Sequence, residues 1–162
     1  MSTPEALMDA LDGRLIEIFT HEPRIGVLEA SRRLGVARGT VQARLDRLVA
    51  SGVILDWGPN LSPEALGFPV TGFLTLEIRQ GAGHDTVATH LAGIAEVLEA
   101  YTITGAGDMW ARVVARSNTD LQRVIDQVLA DPGIERCTTV IALAGQIHHR
   151  VLPLARAASA QQ

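Results

Sequence analysis

The sequence contains no lysine and is poor in cysteine, aromatic residues and long apolar runs. All 14 of its lysine-plus-arginine positions are arginines, Cys137 is the single cysteine, and aromatic residues make up 4% of the 162. One cysteine excludes an internal disulfide and fits a reducing compartment. No apolar run approaches the roughly 20 residues that cross a bilayer. We therefore expect a cytoplasmic protein in which Cys137 is a buried, small hydrophobic side chain.

Clusters of residues that carry catalytic chemistry are also missing. His148 and His149 are adjacent, so their side chains diverge in a helix and point to opposite faces of a strand, which is poor geometry for zinc. The Gly105-x-Gly107 pair lacks the third glycine and the following helix of a dinucleotide loop. No nucleophile and base stand at a spacing that favours catalysis. The sequence therefore predicts no enzyme, no cofactor and no metal site.

The charge that is present is distributed unevenly. The net charge is -4, yet between residues 24 and 50 six arginines stand against two acidic residues, so this stretch carries +4 and the remainder -8. A basic face on an acidic protein is typical of local DNA binding, because counterion release needs cations at the phosphates. A solvated helix face gives the same count, and arginine in place of lysine also reflects genome composition.

The first fifty residues predict three amphipathic helices, over about 4–20, 27–34 and 38–50. Gly35 follows the second helix as a stop that tolerates a left-handed backbone. The residues predicted to face inward are Leu7, Leu11, Leu15, Ile18 and Phe19 in the first helix, Leu28, Ser31 and Leu34 in the second, and Val41, Leu45 and Leu48 in the third.

The second and third helices, joined by a short turn at Gly35, indicate a helix-turn-helix, whose second helix enters the major groove of DNA. Small residues on its outward face allow close approach, and polar ones reach bases and phosphates. The predicted base contacts are Arg38, Thr40, Gln42 and Ala43, beside Gly39, and the predicted phosphate contacts are Arg44 and Arg47. A helical hairpin in an unrelated bundle would look similar.

From Val70 onward the apolar pattern alternates between strand and helix periods in the order βαββαβ. The predicted strands cover 73–78, 97–104, 109–115 and 134–143, and the predicted helices 84–95 and 118–130. This order is typical of a ferredoxin-like domain, a four-stranded antiparallel sheet with both helices on one face. The other face would expose apolar side chains, so we expect a second subunit to cover it.

The predicted fold class is α+β, with four segments. Residues 1–54 form a three-helix, winged-helix-like DNA-binding domain, and 55–67 a linker in which Gly58-Pro59 is incompatible with a helix. Residues 68–154 form the ferredoxin-like domain, which we expect to be the oligomerisation domain. Residues 155–162 are predicted to be a flexible tail.

Three blocks of residues, the last in two parts, follow an order that is typical of one known family. Met8 to Ile16 is similar to a Leu-Asp-x-x-Asp-x-x-Ile-Leu opening, and Ala30 to Ile54 to a helix-turn-helix with its exit. Thr104-Gly105-Ala106-Gly107-Asp108 corresponds to a Gly-x-x-Asp loop, and Asp131 to Ile134 to the Pro-Gly-Val before a last strand. Together they resemble the leucine-responsive and asparagine regulator (Lrp/AsnC) family over nearly the whole chain.

Two departures from the family pattern stand out. Ala37 occupies the position of the serine that caps the third helix, which costs the helix start about 1 kcal/mol. Cys137-Thr138-Thr139 replaces a common Thr-x-Thr and changes one polar position near the implied effector pocket.

The resemblance implies a bacterial transcriptional regulator whose DNA binding or assembly responds to a small effector, an amino acid. The implied effector site lies between neighbouring subunits, with Asp108 accepting hydrogen bonds from an ammonium group. Its residues are Gly105, Ala106, Gly107, Asp108 and Thr139. The resemblance thus makes residues 68–154 the effector-sensing domain. In isolation a glycine-rich loop of this composition is commonly just a turn.

The implied assembly is a homodimer on a palindromic operator, with a tetramer or octamer also open. Trp57 then lies in a dimer interface or packs locally. The alternative is a metabolite-binding regulatory subunit or module that does not bind DNA. The +4 stretch and the small, polar outward face of the third helix favour DNA binding.

Overall fold

The computed structural model describes residues 8–160 and divides the chain into two units. The first unit runs to Pro59 and includes the residues from Ile147 onward, and the second is Asn60–Gln146. No helix within the described residues is long and apolar enough to cross a membrane. The elements in chain order are α1 (Ala10–His21), α2 (Val27–Leu34), α3 (Arg38–Ala50), β1 (Val70–Ile78), α4 (His84–Ala92), β2 (Val97–Thr102), β3 (Met109–Ala115), α5 (Asn118–Val128), β4 (Ile134–Ile141) and α6 (Leu152–Ser159).

Helix α1 begins at Ala10, later than the sequence pattern predicts. The backbone N–H of Asp12 donates to Asp9 Oδ1 at 2.9 Å, and the N–H of Asp9 donates to Asp12 Oδ2 at 3.0 Å. This reciprocal capping box satisfies two N–H groups that a helix start leaves open, so it sets the boundary. The part of the predicted helix over residues 4–7 lies outside the described residues.

The predicted core of the helical unit is confirmed for α3 and for the described residues of α1, and it is wrong at one position of α2. Leu7, also predicted to face inward, lies outside the described residues. Leu28 is 49% exposed, while Ala30 is fully buried. The inward stripe of α2 follows the spacing Val27, Ala30, Ser31, Leu34, and Leu28 lies one residue outside it. The buried core residues are Met8, Leu15, Phe19, Ala30, Leu34, Val41, Leu45 and Leu48.

Helix α6 occupies most of the segment that the sequence predicts to be a flexible tail. It packs on α1, with Ala155 against the helical core and Arg156 paired with Glu17. Pro153 lies in the first turn of α6, where the backbone N–H that proline lacks would have no acceptor within the helix. A single short, alanine-rich helix has a weak apolar period, and its partner α1 lies at the other end of the chain, so local patterns do not show it.

The second unit has the predicted βαββαβ order, which confirms the ferredoxin-like domain. Its antiparallel sheet has the strand order β2-β3-β1-β4. Helices α4 and α5 pack on one face and bury a core with Leu74, Leu76, Val87, Leu91, Met109, Ala111, Val113, Ala115, Leu121, Val124, Val128 and Ile134. The predicted strand and helix ends differ from the observed ones by up to three residues, because frayed ends leave little trace in a periodic pattern.

The opposite face of the sheet carries aromatic side chains. The rings of Phe73 and Trp110 stack with centroids 5.4 Å apart, and Tyr101 lies 6.0 Å from Trp110. Tyr101 is 54% exposed and Val140, beside Phe73 in the register, is 61% exposed. The predicted apolar open face is therefore present on the single chain.

The segment after α3 contains no strand before Val70, so the described residues of the helical unit form a helix-turn-helix without a wing. Trp57 lies edge-on to Phe19, with ring centroids 5.4 Å apart, inside the helical unit. Of the two alternatives for Trp57, local packing is the one observed, and half of the side chain stays exposed.

Candidate nucleic-acid interface and ligand loop

The turn between α2 and α3 positions the predicted DNA-reading helix. Gly35 adopts a left-handed conformation with φ 68°, and the N–H of Val36 donates to the carbonyl of Ser31 at 3.1 Å. The chain then turns sharply enough for α3 to begin at Arg38, directly after Ala37. As the sequence predicts, Ala37 offers no side-chain cap.

The outward face of α3 is an exposed surface that contains every predicted base contact. Val41, Leu45 and Leu48 turn inward and are buried. Arg38, Gly39, Thr40, Gln42 and Ala43 are exposed, and Gly39 and Ala43 lie directly opposite the buried stripe. One helix stripe thus anchors the element while the other stands clear of the protein, which is the arrangement that a groove-reading helix needs.

Sequence reasoning missed one acidic member of this face. Asp46 is exposed, and its Oδ1 accepts a hydrogen bond of 2.8 Å from Gln42 Nε2. The spacing of four residues on a helix could have revealed the pair. The hydrogen bond fixes the amide of Gln42, so the orientation of this predicted base reader depends on Asp46.

The two predicted phosphate contacts already have partners on α1. Arg44 Nη1 lies 2.5 Å from Asp9 Oδ2 and 2.9 Å from Asp12 Oδ1, and Arg47 Nη2 lies 2.5 Å from Asp12 Oδ2. The carboxylate of Asp12 has no exposed surface, whereas the side chains of Arg44 and Arg47 are 27% and 52% exposed. These arginines therefore hold α3 to α1, and phosphate contact stays a prediction that Arg47 is better placed to fulfil.

Sequence reasoning did not assign Asp12 this role. The helical spacing could have revealed that Asp12 is buried, because it lies three residues before the buried Leu15 and so falls on the inward side of an amphipathic helix. The hydrogen bond from Arg44 is the largest cause that lowers the pKa of Asp9 below its ordinary value, and the same bond raises the pKa of Arg44. The shifted pKa values mean that the ion pair persists to lower pH than an unpaired aspartate would stay charged.

The remaining arginines of the +4 stretch differ in their availability. Arg33 pairs with Glu22 and Glu29, and Arg32 lies 3.7 Å from Glu29. Within residues 8–160 no ion pair involves Arg24 or Arg38. Arg38, at the start of α3, is therefore the predicted contact whose charge is least compensated.

The glycine-rich loop between β2 and β3 is held against the end of β1. Gly105 and Gly107 have φ values of 109° and 89°, and a Cβ on Gly107 would lie 2.5 Å from Thr75 Cγ2. Asp108 Oδ2 accepts a hydrogen bond of 2.7 Å from the N–H of Ile78, and the N–H of Asp108 donates to the carbonyl of Leu76 at 2.8 Å. Asp108 thus has a structural role at the strand end.

The predicted effector residues fall at two places on one chain. Gly105, Ala106, Gly107 and Asp108 share the loop before β3, while Thr139 lies on β4 opposite Leu74. Strand β1 separates β4 from β3. Thr139 Oγ1 lies 3.7 Å from Cys137 Sγ, and burial raises the pKa of that half-buried thiol. A single chain does not unite the predicted set.

Both halves of the chain match known protein families. The AsnC-type helix-turn-helix domain matches residues 8–49, and the Lrp/AsnC ligand binding domain matches residues 71–152. The HTH-type transcriptional regulator FL11 of Pyrococcus furiosus is 31% identical over 137 residues, which cover 85% of this chain and 90% of FL11. Regulatory protein AsnC of Escherichia coli K12 is 28% identical over 148 residues, 91% of this chain and 97% of AsnC.

Solved structures agree with these matches. The structure of E. coli AsnC has a TM-score of 0.83 at 26% identity and covers 90% of this chain and 99% of its own. The transcriptional regulator NMB0573 from Neisseria meningitidis, solved as a complex with L-Met, has a TM-score of 0.82 at 22% identity, covers 93% of this chain and 99% of its own, and shares the fold. The chain therefore belongs to the Lrp/AsnC family of DNA-binding transcriptional regulators, with an AsnC-type helix-turn-helix domain followed by a ligand-binding domain.

Proposed function

We propose that this regulator reads its operator with the exposed face of α3. The observation that carries the proposal is the separation of faces on that helix: the buried stripe of Val41, Leu45 and Leu48 lies opposite exposed Gly39 and Ala43, which exposed Thr40 and Gln42 flank. Arg38, Thr40, Gln42 and Ala43 contact bases, and Arg47, with Arg44, contacts phosphates at the edge of the groove.

The regulator acts as a homodimer that covers the open face of its sheet. Three observations support this assembly: Phe73 stacks on Trp110, Tyr101 is half exposed beside them, and the buried Nε of Arg112 has no hydrogen-bond partner among the described residues. A dimer places two α3 helices roughly 34 Å apart, so the operator is an imperfect palindrome. Tetramers and octamers built from such dimers are a further prediction for analytical ultracentrifugation.

The effector is an amino acid bound at the glycine-rich loop. The complex of NMB0573 with L-Met supports this class of ligand. The two positive-φ glycines allow a ligand to approach the backbone, and Asp108 provides a carboxylate for its ammonium group. Because β1 lies between the loop and Thr139 within one chain, a site that contains both takes Thr139 from a neighbouring subunit.

In vitro selection from a random duplex library tests the DNA-binding part. The purified chain should enrich a palindromic motif, and its affinity should fall steeply with salt concentration. Gln42→Ala should change the enriched bases. Gln122→Ala is the matched control, because Gln122 Nε2 donates to Asp126 at the same helical spacing on α5, 2.9 Å against 2.8 Å for Gln42 and Asp46.

Two results would overturn the proposal. One is the absence of any enriched duplex at low ionic strength, with and without amino acids. The other is amino-acid binding by calorimetry in a chain that shows only weak, unselective affinity for duplexes. The second result would identify a metabolite-binding module.

A further inference from the structure

Helix α6 rests on α1 at a position that only glycine allows. A Cβ on Gly13 would overlap the hydroxyl of Ser159 and lie 2.7 Å from Ser159 Cβ. Rotating the Ser159 hydroxyl away would not relieve the contact, since the Cβ atoms would still collide. Gly13 stands inside α1, where glycine is a poor residue because it leaves the backbone without a side chain and with excess freedom. The close approach of α6 accounts for it.

Two further contacts fix α6 in place. Ala155 packs against the core of the helical unit, and Arg156 pairs with Glu17, one helical turn along α1 from Gly13. An apolar contact, an ion pair and a close backbone approach thus lie along one side of α6. They specify where on α1 the helix binds.

The matched family models stop at the start of this helix. They cover residues 8–49 and 71–152, whereas α6 covers Leu152–Ser159. These matches therefore assign no role to α6. Its position must be understood from the contacts in this chain.

The contacts lead from α6 to the arginines of α3. Gly13 follows Asp12 directly, and the buried carboxylate of Asp12 binds both Arg44 and Arg47. We propose that α6 is a positioning helix for DNA binding: by holding α1 at Gly13 and Glu17, it fixes Asp12 and with it the two arginines at the edge of the reading surface. The inference rests on the proposed reading of DNA by α3.

The chain path connects α6 to the ligand-binding unit. Strand β4 of that unit ends at Ile141, and residues 142–151 lead to α6. The ligand-binding unit is thus joined by the chain to the DNA-binding unit at both of its ends. The connection through α6 is separate from the linker after α3.

Gly13→Ala, Ser159→Gly and the double variant test the inference in the full-length chain. The DNA used for the affinity measurements is a duplex selected by the unmodified protein. Amide hydrogen exchange of α6 reports whether this helix is docked on α1. Gly13→Ala should speed exchange in residues 152–159 and weaken DNA binding roughly two- to thirty-fold, the range typical of coupled positions. Ser159→Gly removes both obstructing atoms, so it should restore docking and affinity in the double variant and change little alone.

Each other outcome overturns the proposal. If α6 undocks and affinity is unchanged, the helix is only structural. If Gly13→Ala leaves α6 docked, the close contact does not hold it, and if the double variant stays weak, the loss comes from position 13 itself. If the unmodified chain selects no duplex, the proposed function fails and this inference with it. If it selects one that all variants bind equally, only this inference fails.

Discussion

Asp12 of α1 and Arg47 of α3 form an ion pair of 2.5 Å in which the carboxylate is fully buried and the guanidinium is half exposed. Arg44 binds the other oxygen of the same carboxylate at 2.9 Å. One buried negative charge is thus shared by two arginines that border the DNA-reading face. Phosphates and Asp12 are alternative partners for Arg47, whereas Arg44 is bound also to Asp9 and is therefore held by two carboxylates.

Asp12→Asn should destabilise the DNA-binding unit, because an amide cannot accept from both arginines and the backbone of Asp9 as a carboxylate does. The loss expected for charged hydrogen bonds is about 1–3 kcal/mol, measurable by urea denaturation followed by circular dichroism. Asp126→Asn is the control. Its carboxylate lies on the exposed side of α5 and accepts from Gln122, so its effect should stay within about 0.5 kcal/mol. Equal effects of the two substitutions would show that the buried pair does not stabilise the unit.

Arg38→Ala and Arg44→Ala should affect different quantities. Arg38 is exposed and forms no ion pair within the described residues, so its removal should weaken DNA binding and leave the melting temperature unchanged. Arg44→Ala should lower the melting temperature, because it leaves the buried carboxylate of Asp12 with one arginine instead of two. Arg47→Ala should weaken all duplexes alike and reduce the salt slope by about 1. It should also lower the melting temperature, because it removes the other arginine that binds Asp12. Salt titrations of DNA affinity and calorimetry separate the three, and a lower melting temperature for Arg38→Ala would contradict the assignment.

The helix-turn-helix and the βαββαβ order could be predicted because each depends on a local pattern. The spacing of Val41, Leu45 and Leu48, over about two helical turns, identifies α3 as an amphipathic helix. Gly35 marks the end of the helix before it. Each strand of the sheet likewise shows its own apolar run. These signals involve residues within a few positions of one another, which is the range that a sequence pattern covers.

The features that escaped prediction depend on partners far apart in the chain. Asp12 meets Arg44 across 32 residues, and Arg156 meets Glu17 across 139. The sequence pattern therefore predicted that Arg44 contacts phosphate and that residues 155–162 form a flexible tail. At Leu28, an apolar residue beside the inward stripe was assigned to the core although the helix turns it outward. Thr139 was placed with the loop by resemblance, and only strand order shows β1 between them.

Gly107→Ala should destabilise the ligand-binding unit more than Gly105→Ala. Both residues have positive φ, which an L side chain adopts at a cost of about 1–2 kcal/mol. The added methyl at position 107 would also meet Thr75 Cγ2 at 2.5 Å and the Leu76 carbonyl at 3.2 Å, whereas position 105 has open space. Urea denaturation monitored by Trp110 fluorescence in a Trp57→Phe background measures the difference. Matching midpoints for the two variants would exclude the close contact at β1.

The DNA-binding unit should lose stability in acid through Asp9. The pKa of Asp9 is lowered from 3.8, first by the hydrogen bond from Arg44 and then by the backbone N–H of Asp12. Because the folded state holds this carboxyl's proton more weakly than the unfolded chain, its contribution is complete above pH about 4 and disappears as the pH falls through the lowered pKa. Asp9→Asn should flatten this part of the stability profile, as measured by urea midpoints between about pH 2.5 and 6. An unchanged stability profile in the Asp9→Asn variant would show that Asp9 does not cause the loss of stability in acid.

Asp108 should have two separable roles, and two substitutions distinguish them. Its Oδ2 accepts from the N–H of Ile78 and so closes the end of β1. Asp108→Asn retains an oxygen that accepts this bond but removes the charge that would bind an ammonium group, so the fold should be kept and amino-acid binding lost. Asp108→Ala should lose both, because the N–H of Ile78 is left without its acceptor. Calorimetric titration with a panel of amino acids and thermal denaturation give the two readouts. Full amino-acid binding by Asp108→Asn would mean that the carboxylate serves only the strand end, and the effector would then have to be bound by backbone groups of the loop.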